Sequence, residues 1–155
     1  RLSRQTAEEV EHTLAPRLHG IAFFEQRTRF RRHPAREHED AVISTISKDP
    51  DWAMFTNEKA VDNYKKRLAE SITYVCHENG VFGGYLRALL DDGFAIYVSE
   101  LFVTPEWRNR KIGRRLIARV KADFRHLTVY ALSDEDAYYH KLGYAKVGSV
   151  FEINE

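Results

Sequence analysis

Between Phe94 and Arg119 the chain reads FAIYVSELFVTPEWRNRKIGRRLIAR, and no other stretch limits the possible folds so sharply. Phe94 to Val103 is an apolar run of β-formers broken only by Ser99 and Glu100. Pro105 then removes a backbone donor and biases Thr104 away from helical angles, so a strand ends there. Arg108, Asn109, Arg110, Lys111 and Gly113 follow, after which Ile112, Leu116, Ile117 and Val120 recur at helical spacing. The reading is strand, basic loop, helix. A helix start leaves backbone N–H groups unpaired and carries partial positive charge, so a loop entering a helix straight from a strand is a ready anion site. Gly113 has no Cβ to hold a phosphate away. Together these features point to a pyrophosphate.

Pro105-Glu106-Trp107-Arg108-Asn109-Arg110-Lys111-Ile112-Gly113 resembles the acyl-CoA-binding signature of the GNAT superfamily of N-acetyltransferases, Arg/Gln-x-x-Gly-x-Gly/Ala after a strand. Arg108 and Gly113 match its first and last fixed positions, while Lys111 stands where the family usually has its first glycine. A lysine N–H still donates to phosphate and its ammonium adds charge, so a looser steric fit is expected rather than lost binding.

With 155 residues and 43% hydrophobic content, the chain can bury one core, and a single domain over residues 1–155 is expected. Lys+Arg 24 against Asp+Glu 23 leaves a net charge of +1, which removes any general argument for nucleic acid. Cys76 is the single cysteine and excludes an internal disulfide. With no run of about 18 apolar residues and no charged-then-apolar start, no membrane association is expected, and a cytoplasmic location is. The chain opens at Arg1, which leaves room for a first strand upstream.

Thr6-Ala7-Glu8-Glu9 has the form of a capping box, so a helix is expected from Thr6, interrupted at Pro16 and resumed through Leu18, Ile21, Ala22 and Phe23. The arginines between Arg27 and Arg36 read as a solvated helix face. His33, Glu37, His38, Glu39 and Asp40 match no ligand spacing, and no metal is expected. Residues 1–56 thus form a poorly defined helical region on the acceptor side, and residues 57–155 the better-defined core. Asn57 to Glu70 is an amphipathic helix. The period then falls to two: Ile72 to His77 is a strand, Asn79-Gly80 a tight turn, and Val81 to Leu90 its hairpin partner. Gly83-Gly84 implies a bulge or a close approach by another group. His126 to Leu132 reads as a buried strand parallel to Phe94–Val103, Ala137 to Leu142 as a short helix ended by Gly143, and Tyr144 to Ile153 as a last strand. The fold class is α/β (α+β), a mixed, mostly antiparallel sheet flanked by helices.

This layout is similar to the GNAT core, and Tyr138-Tyr139-His140-Lys141-Leu142-Gly143-Tyr144 resembles the family's Phe-Tyr-x-Lys-Leu-Gly-Phe ending. The Asn-x-x-Ala that often precedes it is replaced by Leu132-Ser133-Asp134-Glu135. The resemblance implies acetyl-CoA as acyl donor, held by Arg108, Asn109, Arg110, Lys111, Ile112, Gly113, Arg114 and Ser133. It implies a primary amine on a small molecule or a protein as acceptor.

An amine with an ordinary pKa of roughly 10 must lose a proton before it attacks a thioester. Glu100, the one carboxylate in the apolar central strand, is the candidate base, directly or through water. As the resemblance implies for a splayed strand opening, backbone N–H groups near Phe102 and Val103 would stabilise the developing oxyanion. By its place in its motif Tyr139 resembles the tyrosine the family uses to return a proton to the departing thiolate. Cys76 has no histidine paired with it in a motif, so direct transfer in a ternary complex is expected. Glu37, Glu39, Asp40, Asp91 and Asp92 are candidates to meet a cationic acceptor. A CoA-binding module without turnover, and an enzyme using a longer acyl group, remain open alternatives; a homodimer is among the expected assemblies.

Overall fold

A computed structural model of the chain describes residues 22–26 and 36–154. Five strands form one sheet in the order β1 (Ala22–Gln26), β2 (Ile72–Glu78), β3 (Val81–Asp91), β4 (Ala95–Val103) and β5 (Thr128–Ala131). The first four are antiparallel neighbours, and β5 runs parallel to β4. Before β2 come α1 (Arg36–Ile46), α2 (Ala53–Thr56) and α3 (Val61–Glu70); α4 (Ile112–Asp123) joins β4 to β5, and α5 (Asp136–Lys141) follows β5.

Several expectations hold. The Asn79-Gly80 turn takes φ of 51° and 78°, which glycine and asparagine tolerate best. Pro105 stops β4 and begins a single 3-10 turn, Pro105–Trp107. Gly143, at φ 83°, follows α5. Others need correction. Ala22 and Phe23 are not helical: they lie in β1, opposite His77 and Cys76 of β2, because ladder hydrogen bonds to β2 outweigh a short local period. Among the described residues, the element order begins with this strand. Asn57 is not in the long helix; its side-chain oxygen accepts from Lys59 and Ala60 N–H at 3.1 Å and turns the chain into α3. Strand β5 is mostly exposed, since only Val129 faces the core built on α4. Tyr144 to Ile153 forms no strand. The helix expected from Thr6 to Ile21 and nearly all of the arginine-rich segment lie outside the described residues.

The sheet is covered on both faces. On one, Tyr74, Cys76, Leu86, Ala88, Ile96 and Val98 pack against Ile112, Leu116, Ile117 and Val120 of α4. On the other, Val75, Tyr85 and Phe102 pack against Val42 and Ile46 of α1 and Tyr64 and Leu68 of α3. The helical spacing of the α4 residues and the alternation along β2 and β3 are what bring these sets together.

Two bulges shape the sheet. Cys76 pairs with Gly84 and His77 with Phe82, so Gly83 is an extra residue in β3. A Cβ on Gly83 would lie 2.2 Å from the Trp107 ring, and one on Gly84 2.5 Å from the Phe102 carbonyl oxygen, so both glycines serve close approaches. In β4, Arg87 pairs with Glu100 and Ala88 with Val98, which leaves Ser99 extra; its hydroxyl donates to the Arg87 carbonyl at 3.3 Å. Past that bulge Leu101 and Val103 take over the α4 side while Glu100 and Phe102 face α3. Gly83→Ala is expected to push Trp107 out of place and to destabilise the fold by about 1–3 kcal/mol. A urea midpoint unchanged from the parent protein would show that Trp107 is not seated on this glycine.

Candidate active site

Strand β4 meets β5 over Ala95–Val98 only, and the last bond across the pair is Leu132 N–H to the Val98 oxygen at 2.9 Å. From Ser99 onward the two strands part. Among the described residues, that edge of β4 has no strand beside it, so backbone groups of residues 99–103 line an opening between β4 and β5. Of Phe102 and Val103, expected to supply oxyanion donors, only Val103 turns its N–H to the open edge: Thr104 N–H donates to the Gly83 oxygen at 3.0 Å, so alternation aims Phe102 N–H at β3.

The basic loop closes one side of the opening. Trp107 is buried, and its ring carries the Arg110 guanidinium at 4.5 Å. Asn109 and Lys111 both adopt left-handed backbone, at φ 63° and 60°. Lys111 thus takes the conformation that a glycine would take more easily, at about 1–2 kcal/mol for an L-residue. The first helical bond runs from Arg115 N–H to the Lys111 carbonyl at 3.1 Å. The N–H groups of Lys111, Ile112, Gly113 and Arg114 therefore precede the helical ladder at the positive end of α4. Ile112 is buried, so only its backbone can serve a ligand. Arg108, Asn109, Lys111 and Arg114 are exposed.

Three of the residues expected to hold CoA have other employment in this geometry. Arg110, besides its seat on Trp107, pairs with Glu78 at 3.0 Å and so ties the loop to the end of β2. Gly113 faces inward: a Cβ there would lie 2.3 Å from the Tyr138 hydroxyl and 3.5 Å from Leu101. Its missing side chain makes room for α5 to close on α4, which is a different reason for glycine from the one expected. Ser133 accepts from Glu135 N–H at 3.1 Å and turns the chain into α5.

Glu100 is buried on the α3 side, in a network that sequence reasoning missed. Arg87 donates to both of its oxygens at 2.5 Å, Nη2 to Oε1 and Nε to Oε2. Tyr64 donates to Oε2 at 2.9 Å, and the Tyr64 and Tyr85 hydroxyls lie 2.6 Å apart. An ionised carboxylate only accepts, so Tyr64 donates to Glu100 and Tyr85 to Tyr64. Burial, followed by the Glu100 charge, raises Tyr64; burial, followed by Tyr64, raises Tyr85. Both phenols stay protonated. Burial works against the Arg87 charge, but its bonds to Glu100 outweigh that and leave its pKa raised. The available signal was an arginine and a glutamate in facing apolar strands, hidden by the bulge.

Tyr139 is half-buried and edge-on to Tyr138, with ring centroids 5.3 Å apart. Burial, then Tyr138 and Asp134, pushes its hydroxyl up to about 12, so it holds its proton at neutral pH. Burial likewise lifts the Cys76 thiol to about 11, a poor state for a nucleophile. Thr104, at the end of β4, buries a hydroxyl oxygen with no hydrogen-bond partner among the described residues. Of the acidic candidates, Asp40 pairs with Lys65 at 2.7 Å. Asp91 and Asp92 sit where β3 turns into β4, at the opposite end of β4 from the opening. The described residues hold no cluster of three or more metal-ligating side chains and no helix long and apolar enough to cross a membrane.

The fold agrees with comparisons to known proteins. The acetyltransferase (GNAT) domain profile matches residues 36–155, and the chain belongs to that family. A sequence search of curated proteins returns no match. Among solved structures, the chain is similar to an aminoglycoside acetyltransferase, HMB0005, from an uncultured soil metagenomic sample. That likeness has a TM-score of 0.66 at 22% identity and covers 87% of this chain and 98% of the other. It is also similar to the aminoglycoside N-acetyltransferase AAC(6')-Iy in complex with CoA, with TM-score 0.62, 17% identity and coverage of 92% and 99%. A ribosomal-protein-alanine N-acetyltransferase from Brucella melitensis biovar Abortus 2308 gives 0.58 and 18%, with coverage of 87% and 99%. At these identities the likeness is one of fold.

Relief of the left-handed strain is measurable. Lys111→Gly is expected to raise stability by about 0.5–1 kcal/mol, once the larger unfolded-state entropy of glycine is set against the gain. Lys111→Val, branched at Cβ, is expected to lower it. Equal melting temperatures for all three proteins would contradict the backbone assignment.

Proposed function

We propose that the protein transfers the acetyl group of acetyl-CoA to a primary amine by direct attack in a ternary complex. The observation that carries this reading is the parting of β4 from β5 beside the free N–H groups at the start of α4. Acetyl-CoA, when bound, supplies the activated acyl group. The first-turn N–H groups from Lys111 to Arg114, with the exposed side chains of Arg108, Asn109, Lys111 and Arg114, are suited to its phosphates. Arg110 holds the loop in place through Trp107 and Glu78. The edge N–H group of Val103 is suited to a carbonyl oxygen that gains negative charge, whereas that of Phe102 faces Tyr85 of β3. The phenol of Tyr139, protonated at neutral pH, is suited to donate to a leaving thiolate.

Glu100 is proposed to accept the amine proton through a water molecule. Three donors already occupy its oxygens, two on Oε2 and one on Oε1, which leaves one acceptor site on Oε1 for a water. The aminoglycoside acetyltransferases among the structural relatives support a small polyamine as acceptor, and the ribosomal-protein-alanine N-acetyltransferase supports a protein amine. A panel containing aminoglycosides, simple polyamines and N-terminal peptides, read by thiol release from acetyl-CoA, separates them. CoA binding with no thiol release from any amine would contradict turnover.

Glu100→Gln alone leaves the Arg87 charge buried without its counter-ion and is expected to cost about 3–5 kcal/mol. Adding Arg87→Met should restore most of that stability but not turnover. Recovery of turnover in the double variant would remove Glu100 from proton transfer. Because Tyr139 lies near 12, its donor role predicts no basic limb in the pH–rate profile at the ordinary phenol value of 10.0. A limb at that value, abolished by Tyr139→Phe, would mean that its hydroxyl is not held protonated as the geometry implies.

A further inference from the structure

An ionised carboxylate offers about four acceptor sites, two on each oxygen. On Glu100, Arg87 takes one of each pair, with Nη2 on Oε1 and Nε on Oε2, both at 2.5 Å. Tyr64 takes the second site on Oε2 at 2.9 Å. What is left is on Oε1, the oxygen that Tyr64 does not touch. A glutamate carboxyl turns freely about its last bond unless something holds it. Two parallel bonds from one planar guanidinium hold it; a single donor, or a point charge such as an ammonium, does not.

Arg87 is itself fixed. Its carbonyl accepts from the Ser99 hydroxyl at 3.3 Å, and its guanidinium lies 5.8 Å from the centre of the Tyr64 ring. The Arg87 and Glu100 side chains are only 11% and 5% exposed. Burial above all keeps the Tyr64 and Tyr85 phenols protonated, so they bring hydrogen bonds and no charge to the network. Stability is a poor reason for such a pair, since well-packed apolar residues of similar volume often serve a fold as well or better. The place of the pair is more telling: Glu100 lies on the stretch of β4 that parts from β5.

We propose that Arg87 is a positioning residue for acetyl transfer: its two-pronged grip fixes the plane of the Glu100 carboxylate and confines the proton-accepting water to Oε1. The inference rests on the reaction proposed above. In that step the ammonium group loses a proton to the water, and the water passes one to Oε1. The freed nitrogen lone pair forms the C–N bond as the C–S bond breaks, and the proton held at Oε1 balances the one that Tyr139 gives to sulfur. Arg87 touches neither substrate and acts only through Glu100.

Arg87→Lys keeps the counter-ion and removes the fork, so it tests position rather than charge. With an alkylamine of ordinary basicity at pH 7, kcat per CoA-binding site is expected to fall about 100-fold, the size that a misplacement of about 1 Å produces, while KM for acetyl-CoA is unchanged. With an analogue of the same amine fluorinated beside its nitrogen, already neutral at pH 7 and in no need of a base, that fall should largely disappear. Counting sites by CoA calorimetry keeps a loss of folded protein from registering as a loss of turnover. Arg87→Ala offers a second route: added ethylguanidinium should restore turnover where tetramethylammonium, a cation without N–H donors, does not. If the parent protein releases thiol, an equal fall with both amines, no fall at all, or equal rescue by both cations overturns the positioning role and leaves acetyl transfer standing. A parent that binds CoA and releases no thiol with any amine removes the reaction and this inference together.

Discussion

Arg87 and Glu100 face one another across β3 and β4 only because Ser99 stands between them without a partner. Continuing the hairpin register from Asp91 opposite Ala95 and Ala88 opposite Val98 would set Arg87 against Ser99. The bulge moves Glu100 into that place and closes a buried ion pair. One extra residue also exchanges the faces of β4, so its first half packs on α4 and its second half presents Glu100 and Phe102 to α3. A bulge adds local twist. Here it falls at the point where β4 parts from β5, so the ion pair, the change of face and the opening share one local cause.

The two sides of the opening are built differently. On the loop side, Trp107 is the anchor: it fills the space left by Gly83, carries Arg110, and through that arginine fixes the loop to Glu78. A rigid loop spares a ligand the cost of ordering it, which is how preorganisation raises affinity. On the α3 side the holding forces are polar, a carboxylate receiving three hydrogen bonds within an aromatic shell of Tyr64, Tyr85, Phe102 and Trp52. Such a network is worth most when every member is satisfied, and it is costly when one is lost.

Much of this was legible from residue order. The strand, loop and helix around Pro105, the Asn79-Gly80 hairpin, the close approach at Gly83-Gly84 and the inward stripe of α4 all follow from local chemistry. They appear at those residues because turn angles, missing Cβ atoms and helical period are properties of a few neighbouring positions. Glu100 stood out as a carboxylate in an apolar strand. Its partner did not, since Arg87 lies in another strand and the offset that joins them is a bulge, which pattern reading treats as an ordinary step. Gly113 was singled out for a ligand-facing reason, but its position answers to Tyr138, which comes from α5.

The sequence by itself determined the elements of the core, the place where β4 must end, and the concentration of donors at the start of α4. Backbone sterics and short-range periodicity are sufficient for these. Only the tertiary structure decided that Ala22–Gln26 is a strand, that Tyr144–Ile153 is not, and that β5 pairs, among the described residues, with β4 alone. Strand formation needs a neighbouring edge to complete its hydrogen bonds, and which edges meet depends on the assembled sheet rather than on alternation within a segment.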